Sequence, residues 1–208
     1  LQGDWSSDVC SSDLGVVGTY NLVVTSLAES DMQVSQDIFS ASTDSVSSTS
    51  GTYSVTYAGT TTNVSVDAGT SLEDLVKAVN DQVEGVTAYL MDTGSGLKMV
   101  VAGNDTGASN TVSISTDLTT LQNYDHASTA ADAALTINGV AITSADNTIN
   151  GVVQGVTFDL ADTGSTKVKV GVDTDAMVTK LQDFVTAYNS IITYVGSQSI
   201  VDKSLKLK

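Results

Sequence analysis

Between about Asp175 and Val195 the apolar residues recur by three and four. Val178, Leu181, Val185, Tyr188, Ile192 and Val195 stand at the a and d positions of a heptad, and Met177, Phe184 and Ile191 add a flanking stripe. This is the clearest periodicity in the chain, and it commits the segment to a helix that needs a partner. Such a helix reaches about 30 Å; Asp173 or Thr174 stands where an N-cap belongs, and Gly196 where a stop belongs. A second, shorter helix is expected from Ser71, with Leu72, Leu75, Val76, Val79 and Val83 on one face. Thr70 or Ser71 caps it, Glu73 being placed as the return partner of a capping box on Thr70. That helix is short and has its own strands to cover, so the long one must find its partner in a segment outside these 208 residues or in another subunit.

Elsewhere the period is two. Tyr20, Leu22 and Val24 alternate with polar or opposite-face residues as a first strand, and Gly51 to Val66 alternates again as a hairpin. Between them Ser40 to Ser50 has no apolar period and reads as a linker or long loop. The segment NDQVEGVTAYLMDTGS from Asn80 resembles NGVVQGVTFDLADTGS from Asn150 at an offset of 70 residues. Each reads as a hairpin turning at Asp-Thr-Gly-Ser, returning through Leu97 to Val101 in the first copy and Lys167 to Val172 in the second. Proline is absent and aromatic residues make up 5%, while Ser, Thr, Gly, Asp and Val dominate, which suits short strands joined by polar turns. The expected class is α+β, mainly β.

With 24 acidic against 8 basic residues the formal charge is −16, a field that repels phosphate backbones and anionic membrane surfaces. Neither nucleic acid nor a membrane is expected as a partner. No apolar run approaches the roughly 20 residues of a spanning helix, and no basic-then-apolar signal segment opens the chain. The stretch from Asp4 to Leu14 holds the sole Trp (Trp5) and the sole Cys (Cys10), and is similar to the translation of a common sequencing-library adapter. Residues 1–14 are therefore read as an artefact or a disordered start with the true N-terminus missing, which leaves a chain without thiol chemistry.

Catalytic signals are weak. Two Asp-Thr-Gly-Ser motifs would suit a shared-proton carboxylate pair at Asp92 and Asp162, as in an extracellular hydrolase. Only 70 residues separate them, too few for two catalytic lobes, and each reads as a turn. His126, the only histidine, lies in a loop-like NYDHAST with no nearby Cys and reads as solvated. Asn104, Asp105 and Asp117 lack the spacing of a calcium loop. Gly94, Gly96, Gly103 and Gly107 form no phosphate loop opening onto a helix. No catalytic residue, cofactor or metal is expected.

Three stretches together resemble the bacterial flagellar filament-cap family, FliD or flagellar hook-associated protein 2. They are GTYNLVVTSLA at Gly18 to Ala28, LTINGVAITSADNTINGVVQGVTFDL at Leu135 to Leu160, and LQDFVTAYNS at Leu181 to Ser190. The resemblance covers most of residues 15–208 and lacks the family's coiled-coil leg segments at both ends. It implies two β-rich head domains, one inserted in the other, followed by the start of a coiled-coil helix. One head is discontinuous (15–45 and 130–172), the inserted α+β head spans 46–129, and the returning leg begins within 173–208. It also implies a homo-oligomeric cap at the filament tip, outside the cell and exported without a cleavable signal peptide. Flagellin would be a partner, the seam Val178, Leu181, Val185, Tyr188, Ile192 and Val195 an interaction surface, and the exposed heads would meet host glycans or mucins. The competing reading is a modular β-rich cell-surface adhesin, which accounts for everything except the heptad helix and the three stretches.

Overall fold

The computed structural model describes residues 15–171 and 174–200. From Gly18 onward the chain forms β1 (Gly18–Ser26), β2 (Met32–Ser35), β3 (Gly51–Tyr57), β4 (Thr60–Val66), α1 (Leu72–Gln82), β5 (Val86–Asp92) and β6 (Leu97–Gly103). It continues through β7 (Val112–Thr116), β8 (Tyr124–Ser128), β9 (Ala133–Ile137), β10 (Val140–Ser144), β11 (Thr148–Val153), β12 (Val156–Asp159), β13 (Gly164–Val170) and α2 (Thr174–Ile200). The class is mainly β with two helices, as expected. The described residues up to Val168 make one compact unit, and α2 belongs to a second.

Two hydrophobic cores lie within the first unit. One unites Leu22, Val24, Leu135, Ile137, Ile149 and Phe158, contributed by a sheet ordered β10-β9-β1-β13 and by the pair β11-β12. The other gathers Tyr53, Val55, Leu72, Leu75, Val79, Met99 and Val101 between sheets ordered β5-β6-β2-β8 and β4-β3-β7, with α1 packed on β4 and β5. β2 and Phe39 precede the boundary expected at residue 46, yet both belong to this second core: β2 pairs with β6 and β8, and Phe39 bridges to Leu97.

Turn chemistry fixes the hairpins. Ala58 and Gly59, and likewise Asn138 and Gly139, both take positive φ between directly paired residues (Tyr57 with Thr60, Ile137 with Val140), the type I′ geometry whose twist matches its strands. The first copy of the internal repeat is the hairpin β5–β6. The second copy is not a hairpin. β12 pairs with β11, and β13 crosses to lie beside β1. One edge of β12 is already occupied by β11, and the strand after Asp-Thr-Gly-Ser takes the edge of another sheet.

The short helix starts one residue later than a Thr70 cap requires. Ser71 is the N-cap: its Oγ accepts from Asp74 N–H (3.2 Å) and donates to the Asp74 carboxylate (2.6 Å), a contribution of about 1 kcal/mol. Thr70 is held by the preceding loop, its carbonyl accepting from Val46 N–H. Glu73 serves no capping box; it accepts from Ser42 Oγ at 2.6 Å. The Ser40–Ser50 stretch is irregular as expected but anchored, with Val46 fully buried and Asp44 Oδ2 accepting from the amides of Ser40 and Ala41.

Inside the second core, Tyr53 and Tyr124 meet edge to face, their hydroxyls 2.7 Å apart. Tyr124 donates onward toward Met99 Sδ (3.8 Å), which leaves Tyr53 as the donor between the two. Burial pushes both phenols up from their ordinary value, Tyr53 further through the neighbouring Tyr124. The two cores are joined where the loop after β6 docks. Thr106 Oγ1 donates to Ala145 O (2.6 Å), Ala108 N to Asp132 Oδ1 (2.7 Å) and Gly107 N to Glu29 O (3.2 Å). A Cβ on Gly107, whose φ is +107°, would stand 2.7 Å from Ala145 Cβ.

Gly107→Ala is therefore expected to lower stability by about 1–3 kcal/mol through strain at the junction, read from the urea midpoint. The buried tyrosines make a second expectation. The unfolded chain releases their protons near pH ~10 and the folded chain only higher, so their stabilisation is intact below that pH and falls as pH rises beyond it. The urea midpoint should drop above pH ~10, and less steeply when both residues are Phe.

Candidate functional site

The helix α2 spans 27 residues, about 40 Å at the α-helical rise. Five of its hydroxyls are satisfied within the helix itself. Thr179, Thr186, Ser190 and Thr193 each donate to the carbonyl four residues earlier at 2.8–2.9 Å, and Ser197 donates to Tyr194 O. What the helix offers to its surroundings is its apolar face. Every side chain of the seam is at least half exposed, from 50% at Val178 to 62% at Leu181, and Met177, Phe184 and Ile191 are equally bare. With that flanking stripe three of every seven positions are apolar, a face wider than a strict a/d seam.

The helix ends differ from expectation. Gly196 does not stop it; the helix continues to Ile200, since glycine inside a helix costs about 1 kcal/mol without forbidding it. Thr174 is already helical, and Asp173 lies outside the described residues, as do residues 1–14 and 201–208. No helix is long and apolar enough to cross a membrane among the described residues.

The weaker chemical candidates are not brought together. Asp92 closes the exposed turn after β5 by accepting from Gly94 N–H (2.8 Å), and Asp162 accepts from Thr163 N–H (2.7 Å) in an exposed loop after β12. Asn104 Oδ1 accepts from Thr87, Asp105 from Tyr57, and Asp117 from Thr52 N–H, so each serves the fold. His126 is not in a loop: it lies in β8, because the alternation of its segment continues the sheet beside β2. Its ring is about half exposed, with Nδ1 3.1 Å from Oδ1 of Asp31.

Asp31 and Gln33 escaped the sequence reading. Both are buried, and they take the two backbone groups of Val112: its N–H goes to Asp31 Oδ2 (2.8 Å) and its carbonyl accepts from Gln33 Nε2 (3.0 Å). Their only signal in the sequence is polar residues at the inward positions of a strand, which looks like an outward face until the partner sheet is known.

Comparison with known proteins places these features. The family model described as the flagellar hook-associated protein 2 C-terminus matches residues 130–206, and the flagellin hook IN motif matches residues 54–105. Flagellar hook-associated protein 2 of Escherichia coli strain K12 is 29% identical over 201 residues, which cover 88% of this chain and 43% of the relative. The solved D1-D2-D3 domains of the flagellar cap protein FliD from Escherichia coli superpose with a TM-score of 0.75 at 26% identity, covering 88% of this chain and 57% of that one. The D2-D3 domains of FliD from Serratia marcescens give 0.68 at 26% identity, covering 74% and 94%. The chain thus spans less than half the length of the curated relative.

Gly196→Ala should strengthen α2 by about 1 kcal/mol. Circular dichroism at 222 nm is expected to show more helix, and a loss of signal would contradict the helical continuation through Gly196.

Proposed function

We propose that this chain, whose matches all point to the flagellar hook-associated protein 2 (FliD) family, is the head portion of a filament-cap subunit with the start of its leg helix. Its work is structural assembly and not catalysis. The observation that carries this reading is the apolar face of α2. A large apolar side chain fully buried is worth roughly 1.5–3 kcal/mol over one left in water, so nine such residues on one helix call for a helical partner.

Two heads are proposed, residues 15–30 with 130–171 as one and residues 31–129 inserted as the other. The two separate cores support the division, and the pairing of β2 with β6 and β8 draws the boundary back from residue 46. Contacts between copies would set the ring of the cap, with flagellin added beneath it. The outer head would face the medium, where host glycans or mucins are its partners. The place of action is the filament tip, outside the cell, reached without a cleavable signal. The sole cysteine is Cys10, so no disulfide ties residues 15–208 into loops, which suits passage through a narrow channel as an extended chain.

The test is made in the full-length protein. Replacing Leu181, Val185 and Tyr188 together by Ser should abolish the cap oligomer in sedimentation velocity and the motility of cells relying on it. Oligomers and swimming equal to the unsubstituted protein would remove the seam from the assembly.

A further inference from the structure

The pentapeptide TINGV occurs twice, at Thr136 to Val140 and at Thr148 to Val152. Both copies expose their Asn-Gly pair, yet the fold treats the two pairs differently. In Asn-Gly the side-chain amide is open to attack by the next backbone nitrogen, because glycine puts no Cβ beside that nitrogen.

The first copy is locked. Asn138 and Gly139 make the type I′ turn between the directly paired Ile137 and Val140. Asn138 Oδ1 accepts from Asn21 N–H, and Asn138 N–H donates to Asn21 O, both at 2.9 Å. Bringing the Asn138 carboxamide onto Gly139 N would break the first of these bonds and twist the hairpin.

The second copy is loose. Asn150 pairs with Thr157 and the next pair is Val153 with Val156, so Gly151 and Val152 have no opposite residue on β12. The peptide that must rotate, between Asn150 and Gly151, opens that unpaired stretch. Gly151 takes φ +76°, and a Cβ placed on it would meet nothing within 4 Å. The Asn150 carboxamide is held through Oδ1 by the Thr157 hydroxyl (2.7 Å), an exposed contact that water replaces at little cost.

We infer that Asn150-Gly151 is a site of spontaneous deamidation from which Asn138-Gly139 is protected. Gly151 N gives its proton to solvent base and attacks Asn150 Cγ; the Cγ–Nδ2 bond breaks, and ammonia leaves with a proton from water. Water then opens the five-membered imide at either carbonyl, leaving a carboxylate in aspartate or isoaspartate linkage. Nothing is oxidised or reduced, and water is the sole co-reactant. Isoaspartate lengthens the main chain by a methylene between Ile149, buried in the first core, and Val153, the last residue of β11 to pair with β12. Modification therefore loosens β11 and adds a negative charge to an acidic chain.

The test holds the full chain in mildly alkaline heavy-oxygen water, folded and in urea. Brief proteolysis before aspartate then separates residues 132–145, with Asn138, from 146–158, with Asn150, for mass spectrometry. In the folded chain the second peptide should exchange ammonia for labelled oxygen about tenfold or more faster than the first. In urea the two sites, with identical neighbours, should react alike. Asn150→Gln should remove the folded-state signal, and the aged unsubstituted chain, unlike this aged variant, should unfold at lower urea. Equal folded rates, or a faster rate at Asn138, would overturn the assignment. So would an Asn150 that stays intact in the folded chain over the time in which both sites react in urea.

Discussion

The ladder between β1 and β9 is the constraint on which the rest of the fold depends, because it closes the first core around everything inserted between them. Asn21 and Asn138, 117 positions apart, tie it at one end: Asn138 Oδ1 accepts from Asn21 N–H, and Asn138 N–H donates to Asn21 O, both at 2.9 Å. The same Asn138 takes the left-handed conformation of the turn into β10. One residue thus sets both the hairpin and the register of the distant strand. A slip by one position would exchange buried Leu22 and Val24 for exposed Val23, so the register is specified by the core itself.

Closing a ladder over so long a segment costs little because loop-closure entropy grows only with the logarithm of length, about 0.6 kcal/mol per doubling. The residues between the two strands have a core of their own, and the two cores meet where Gly107 lies against Ala145. Polar groups drawn into that core are satisfied. Asp31 and Gln33 hold the edge of β7, Ser35 Oγ accepts from Met99 N–H, and no buried side-chain polar atom lacks a partner among the described residues.

The helix α2 inverts that arrangement. Thr179, Thr186, Ser190 and Thr193 turn their hydroxyls back onto the helix's own carbonyls while its large apolar side chains stay exposed. Most large apolar side chains of the β strands are buried in the two cores, whereas those of the α2 seam are not.

The sequence by itself determined the periods and the turns. The heptad of α2, the alternation of β1, β3 and β4, and the Asn138-Gly139 turn are local, set by where consecutive side chains point and which residues tolerate positive φ. It also carried the resemblance to the filament-cap family, through two stretches in the first core and one in α2. Only the tertiary structure decided partners. Two copies of Asp-Thr-Gly-Ser look alike, yet one closes a hairpin and the other sends β13 across to β1, because a strand pairs with whichever free edge the packed core brings beside it. His126, Asp31 and Gln33 were illegible for the same reason. Their positions alternate as any strand does, and which face is inward was settled by the sheet that folded over them.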